Sequence, residues 1–397
     1  MYPAGDMIAA RQGTRQRRFA LAVRARYPVW PHLTPGAARL LSKLVLVQVL
    51  RALAALAVAT LHAQHEAGLL AGRLGVPYRG LDLPWIAGVD VFFVISGLIM
   101  VHASRGLFGM PGAWRPFLAR RVARIVPLYW TVTGLYLAVA VLRPGLVSGG
   151  TPGPGAVAAS LLFVPFARPD GTVQPVYSLG WTLNYEMLFY AAFAVALAWP
   201  ARRALAGLAL GLLALAGLGR ALGPLPQPLG FWSDPIILDF GLGLGVGALH
   251  GRGLRLPGLA RLGLAAAGLV VLGLDVGGWP RPLAYGVPAA LLVAAAALGR
   301  EESVARTGPG TRLGATLGDA SYALYLVHPF VVRGLHEILW QTGLAGLAGP
   351  IGPAGLVALA LPGAAAASLL VHWWFERPAT ALARGLLGAR GPALTRA

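Results

Sequence analysis

Residues 44–63 read LVLVQVLRALAALAVATLHA, an apolar run broken by Gln48, Arg51, Thr60 and His62. As a helix rising about 1.5 Å per residue it is about 30 Å long, the thickness of a bilayer hydrocarbon core. Similar runs recur, and helices are predicted at 44–63, 85–104, 122–142, 179–199, 203–222, 232–250, 258–276, 281–299, 317–339 and 351–374. The sequence therefore reads as an all-α, polytopic integral membrane protein with about ten transmembrane helices and no sizeable soluble domain. Composition agrees. Of the 397 residues 57% are hydrophobic and 12% charged, with a mean hydropathy of +0.67, whereas a soluble domain carries about 25% charged residues.

The net charge of +19 is arranged for topology. With a cytoplasmic N-terminus the inner segments are 1–43, 105–121, 200–202, 251–257, 300–316 and 375–397. Lysine and arginine then divide about 25 inside to about 7 outside, with Arg51 left within a span, a positive-inside bias that puts both termini in the cytoplasm. The lipid bilayer is the partner this charge addresses, and nucleic acid is excluded. The absence of cysteine rules out disulfides, thiolate metal sites and a cysteine nucleophile, and the histidines show no metal-ligand spacing, so no metal is expected. Three regions follow: a basic cytoplasmic tail over 1–43 without the apolar core of a cleavable signal, a transmembrane domain over 44–378 and a second basic tail over 379–397. The apolar segment 155–166 is too short to cross and reads as a re-entrant or interfacial piece of a long outer loop, 143–178, the natural place for a water-soluble substrate.

Charged and polar residues inside spans are costly and mark function. Arg51 and His62 are 11 residues apart, within about 20° of a common helix face and about 16 Å apart along the axis. Residue type alone leaves His62 equally a helix-end histidine at the interface, Arg51 equally a snorkelling side chain, and His65 as good a candidate as His62. Asp90 lies near the outer end of the second span, in Gly88-Val89-Asp90-Val91-Phe92-Phe93-Val94-Ile95-Ser96-Gly97. Its depth matches His62, and an Asp–His pair would fix the tautomer a general base needs. The plainer alternative is an aspartate bridged to an arginine. Thr182, Glu186 and Tyr190 form an i, i+4 polar stripe on the fourth span. At the cytoplasmic face Arg121 and Arg124 present two guanidinium groups on one side, suited to bidentate phosphate recognition, though ordinary positive-inside flanking gives the same residue types. Gly241-Leu242-Gly243-Leu244-Gly245-Val246-Gly247 lies inside an apolar span with no preceding strand. It reads as a helix-packing surface rather than a nucleotide loop.

In order along the chain stand Arg51-Ala52-Leu53-Ala54-Ala55-Leu56 with His62, the Gly88–Gly97 stretch, and Arg121-Val122-Ala123-Arg124-Ile125 with Pro127 and Tyr129. Trp181-Thr182-Leu183-Asn184-Tyr185-Glu186 with Phe189-Tyr190 follows, then Ser321-Tyr322-Ala323-Leu324-Tyr325-Leu326-Val327-His328 and Glu376-Arg377-Pro378. This ordered set, from about residue 44 to 378, resembles the membrane acyltransferase-3 family, which O-acylates surface polysaccharides. The wording of Trp181–Tyr190 is most similar to the exopolysaccharide-production acetyltransferase branch. The resemblance implies an acyl-CoA donor such as acetyl-CoA on the cytoplasmic side, no tightly bound cofactor, and a hydroxyl of a polysaccharide or lipid-linked sugar as acceptor, in the bacterial inner membrane. It implies that His62 is the essential histidine and that Arg121 and Arg124 are the donor-associated Arg-x-x-Arg.

The expected mechanism docks the donor phosphates on Arg121 and Arg124, with Arg51 and Tyr129 in the same donor site. The thioester reaches His62, which acts as base or acyl carrier, oriented by Asp90 or Glu186 as the other catalytic groups. Tyr177, Trp181, Asn184 and Tyr190 are the expected acceptor contacts. The rival class is a transporter or flippase, which explains many spans and buried charges but needs neither the Arg-x-x-Arg nor an outer-end histidine. A polysaccharide polymerase is a further rival, for which larger outer loops are expected.

Overall fold

The computed structural model describes residues 44–143, 152–168, 171–223, 225–274, 278–299, 307–349 and 351–388. The tail over 1–43, residues 389–397 and parts of the long outer loop lie outside them. The described chain is helical, with no β-strand. In order it forms α1 Val45–Leu74, α2 Ala87–Ala103, α3 Trp114–Leu142, α4 Pro154–Leu161, α5 Trp181–Ala196, α6 Ala201–Leu222 and α7 Leu238–Gly251. It continues with α8 Gly258–Gly273, α9 Val287–Ala297, α10 Pro309–Asp319, α11 Ser321–Gln341, α12 Ile351–Val371 and α13 Arg377–Leu386. Every predicted span is occupied by a helix. Among the described residues, four stretches are long and apolar enough to cross a membrane: α1, α3, α6 and the continuous run Ile351–Leu386. The run passes from α12 to α13 through a π-helical turn, His372–Glu376. Four shorter apolar helical stretches accompany them.

The distribution of polarity differs from that of a soluble bundle. Asp90, Asp239, His328, His336 and Glu376 are buried, while Leu210, Leu259, Leu262 and Val270 point outward. In α8 the one buried residue is a glycine, Gly268. An apolar exterior, with ionisable groups drawn inside among apolar packing, is what a lipid environment selects.

α1 is the organising element and packs against α2, α9, α10, α11 and α12. It ends at Gly75, whose φ of 67° is the left-handed cap conformation that glycine adopts without a Cβ penalty. Its last turns run well beyond the predicted end at 63, because Glu66 and Arg73 find partners on α11. Glu66 accepts from Arg333 at 3.1 Å and from His336 at 2.7 Å, and Arg73 reaches Glu337 at 3.5 Å. α2 and α7 cross in backbone contact. A Cβ on Gly97 would strike the Phe240 carbonyl, one on Gly243 would strike the Val94 carbonyl, and one on Gly247 would lie 2.8 Å from Val101 Cβ. The glycine run is thus a packing surface, as its apolar setting predicts. α4 is the short apolar segment of the long loop, and its Ser160 accepts from the Val176 N–H at 2.7 Å.

Candidate active site

Five of the helices wall a cavity of about 160 Å³. α1 contributes Arg51, α2 Phe92 and Ser96, α3 Arg121 and Arg124, and α5 Thr182, Glu186 and Tyr190. Tyr322 and Tyr325 of α11 complete the lining. The expected donor arginines and the α5 stripe therefore share one chamber. Glu186 accepts hydrogen bonds from Ser96 Oγ at 3.0 Å and from the Tyr190 hydroxyl. Arg51 donates to Gln48 at 3.0 Å. Arg121 lies over the rings of Phe117 and Tyr190, 5.7 and 5.9 Å from their centroids, and its Nε is buried without a hydrogen-bond partner. Arg124 is ion-paired with Glu376, a nearly fully buried carboxylate that also accepts from His372 Nδ1 at 2.7 Å. Of the pair, Arg121 is the guanidinium held by ring faces rather than by a carboxylate.

The chamber stops short of His62. Its lining includes Phe92 and Tyr325, whose rings meet edge to face at 6.3 Å. Tyr325 is fixed there by its hydroxyl, 3.0 Å from Thr182 Oγ1 and 3.1 Å from the Leu179 carbonyl. One turn further along α11 the Tyr325 ring contacts that of His328, and His328 meets His62, with centroids 5.1 Å apart.

This histidine pair has a determinable protonation pattern. Nδ1 of His328 lies 2.9 Å from the Leu324 carbonyl. A carbonyl can only accept, so that nitrogen carries the proton and Nε2 keeps its lone pair. His328 Nε2 faces His62 Nδ1 at 3.0 Å, and His62 Nδ1 is also 3.0 Å from the Val58 carbonyl. With acceptors on two sides, the His62 proton belongs on Nδ1. Nε2 of His62 is left as the basic nitrogen, the arrangement a general base or acyl-accepting nucleophile requires. His65 is exposed and takes no part in this pair, so the geometry separates two histidines that helical phase alone did not.

Asp90 is not the partner of His62. Its carboxylate is gripped bidentately by Arg281, Nε to Oδ1 at 3.1 Å and Nη2 to Oδ2 at 2.9 Å, beside the buried Asp239. Helical phase gives the reason. Asp90 and Gly97 are seven residues apart and share a face, and Gly97 is pressed against α7. Equal depth with His62 carried no information about that direction. Glu186 likewise bonds Ser96 and Tyr190 rather than His62. Tyr129 does not line the chamber. It is buried against Phe163, ring centroids 5.0 Å apart, and over Gly180. Tyr177 is buried rather than presented outward, donating to the Leu326 carbonyl at 2.7 Å and stacked on Phe330. Trp181 packs edge-on against Phe93 and Tyr185. Asn184 is buried on the α5 face opposite Glu186. Of the four expected acceptor contacts, Tyr190 alone lines the chamber.

Sequence reasoning passed over four residues that the structure makes prominent. His328 and Glu376 stood inside quoted motifs but had no assigned partner. Asp239 lies inside the predicted span 232–250 and Arg281 opens the predicted span 281–299, both among apolar neighbours. The signal available for His328 was a histidine within an apolar span directly before Pro329, a residue that leaves a helix carbonyl one turn back without its usual donor.

The comparisons with known proteins agree with this architecture. The family profile described as an acyltransferase domain, acyltransferase-3, matches residues 46–373. The exopolysaccharide production protein ExoZ of Rhizobium meliloti (strain 1021) is 37% identical over 267 residues, covering 65% of this chain and 79% of its own length. The acyltransferase MdmB of Streptomyces mycarofaciens is 30% identical over 373 residues, covering 87% of this chain and 93% of its own. No solved structure matches. A profile spanning nearly all the described helices and two relatives of this extent place the chain in the acyltransferase-3 family, as a membrane acyltransferase.

Proposed function

We propose that the chain transfers an acetyl or other short acyl group from cytoplasmic acyl-CoA to a hydroxyl of an exopolysaccharide or other surface-polysaccharide sugar, or of its lipid-linked precursor. It would do so in the bacterial inner membrane, on ten spans with both termini cytoplasmic. The observation that carries this reading is the His62–His328 pair. It leaves a basic imidazole nitrogen on α1, about 16 Å along the helix from the Arg51 that lines the arginine-rich chamber. A sugar acceptor is supported by ExoZ, named for exopolysaccharide production.

In the proposed reaction the phosphates of the donor meet Arg121, and the pantetheine arm lies along the apolar wall of Phe92, Phe93 and Ile95. The Phe92 and Tyr325 side chains part to let the thioester reach His62. His62 Nε2 takes the proton of the acceptor hydroxyl as its oxygen attacks the thioester carbonyl. The C–S bond breaks, and the proton passes from His62 to the departing thiolate, so no proton is gained or lost overall. His328 holds the His62 ring through Nδ1 and stabilises the transient imidazolium.

The test is acyl transfer from radiolabelled acetyl-CoA by membranes carrying the wild-type chain, His62→Ala or Arg121→Ala. His62→Ala is expected to lose transfer about 10²–10⁴-fold, and Arg121→Ala to raise the donor KM. Undiminished transfer by His62→Ala would overturn the mechanism. Unaltered acylation of surface glycans in a deletion strain, read by mass spectrometry, would overturn the acceptor.

A further inference from the structure

α13 is an amphipathic helix turned the unusual way round. Thr380 and Arg384, one turn apart, lie on its covered face, while Leu382 and Leu386 are exposed on the other. The helix packs along α3. That placement follows from the π-helical turn before it, whose Glu376 is held by Arg124 of α3. The packing of α13 on α3 puts Arg384 within electrostatic reach of Arg120, Arg121 and Arg124 of α3. Glu376 pairs with Arg124, and no carboxylate of the described residues is among the charges that act on Arg384. The Nε atoms of Arg384 and Arg121 are both buried without a hydrogen-bond partner.

Assembled like charges with buried, unused N–H donors are costly to hold together. A bound polyanion removes both costs, since phosphate oxygens accept from guanidinium forks and cancel the repulsion. Arg121 also lines the chamber, so an anion bridging Arg384 and Arg121 would sit at its mouth.

We infer that Arg384, with Arg120, completes a phosphate-binding clamp with Arg121, so that α13 is part of the donor site and the site selects a donor bearing several phosphate groups. The inference rests on the acyl-CoA reading above and assigns the recognition of the diphosphate and 3′-phosphate end of that donor partly to the C-terminal helix. Anionic lipid headgroups offer the same chemistry, and the test separates the two sources.

The experiment measures equilibrium binding of CoA, 3′-dephospho-CoA and pantetheine to the full chain in phosphatidylcholine nanodiscs, with no anionic lipid. Arg384→Gln is expected to weaken CoA about tenfold, the loss of one charge-assisted hydrogen bond, to weaken 3′-dephospho-CoA no more than CoA, and to leave pantetheine unchanged. Arg384→Lys, which keeps the charge but not the fork, should lose less, and Arg120→Gln should follow Arg384→Gln. The clamp is refuted if Arg384→Gln and Arg384→Lys bind CoA as the wild type does while Arg121→Gln binds it weakly, an outcome that leaves the acyl-CoA reading standing. Equal weakening of pantetheine refutes it too. If an effect of Arg384→Gln emerges only when phosphatidylglycerol is added, the ligand is a headgroup and the clamp is again refuted. Failure of the wild type to bind CoA would remove the acyl-CoA reading itself, and the clamp with it.

Discussion

One nitrogen carries most of the chemical argument. Nδ1 of His62 is held by two acceptors, the Val58 carbonyl and His328 Nε2, and that leaves Nε2 with its lone pair, the nitrogen proposed as the base. Removing His328 removes one of the two. His328→Leu is expected to lower kcat about tenfold to a hundredfold while leaving the donor KM unchanged, because the Val58 contact persists and the arginine chamber is untouched. The measurement is donor-concentration dependence of acyl transfer beside His62→Ala, and a change confined to KM would contradict the positioning role. Much of this was legible from residue type. Arg51, His62, Asp90 and Glu186 stand out because ionisable groups are expensive in an apolar span, and Arg121 and Arg124 stand out by spacing. What the sequence did not hold was pairing. Asp90 and His62 share a depth, but depth says nothing about which neighbour a helix face meets, and Asp90 faces Arg281. Aromatic residues next to a loop likewise suggest a sugar platform, but Tyr177 spends its hydroxyl on the Leu326 backbone inside the bundle.

Between helices, the crossing of α2 and α7 sets how close the site's walls stand. Gly97 and Gly243 meet there with the Gly97 Cα 2.9 Å from the position a Gly243 Cβ would take. α2 also carries Phe92 and Ser96 into the chamber. Gly243→Ala is therefore expected to push α2 and α7 apart and cost about 1–3 kcal/mol, as overpacking does. Gly245, two residues on, has open space where its Cβ would be, and Gly245→Ala should be neutral or slightly stabilising. Thermal unfolding of both in detergent, followed by size-exclusion chromatography, checks the contrast; equal behaviour of the two would mean the crossing is not rigid. The packing role of this glycine run was readable, since an apolar run without a preceding strand has no phosphate to bind. The true length of α1 was not. Gln64, His65, Glu66 and Arg73 look like loop residues in isolation, and only the partners Arg333, His336 and Glu337 on α11 make that stretch a continuation of the helix. The same holds for α13, whose arginines resemble a basic tail until α3 is seen beside them.

Across the whole molecule the two chemical centres lie on opposite sides of the Phe92–Tyr325 partition, arginines and Glu186 on one side and the histidine pair on the other. That polarity has a direction only if the chain has a fixed orientation, and the arginine bias supplies one. Under the proposed orientation the arginine chamber would open toward the cytoplasm, on the side of the proposed acyl-CoA donor, and the histidine end would face outward, toward the proposed sugar acceptor. The absence of cysteine in the 397 residues makes the orientation directly measurable, because any introduced thiol is the sole site for a maleimide. Leu81, exposed in the α1–α2 loop, and Ala201, exposed at the start of α6, fall on opposite sides of the bilayer if both termini are cytoplasmic. In sealed spheroplasts a membrane-impermeant maleimide is expected to label Leu81→Cys and to spare Ala201→Cys until the membrane is opened, and inside-out vesicles should show the reverse. Labelling of Ala201→Cys in intact spheroplasts would invert the orientation. The histidine pair would then face the cytoplasm and the arginine chamber would open away from the acyl-CoA pool, so the direction proposed for the transfer would fall with the topology.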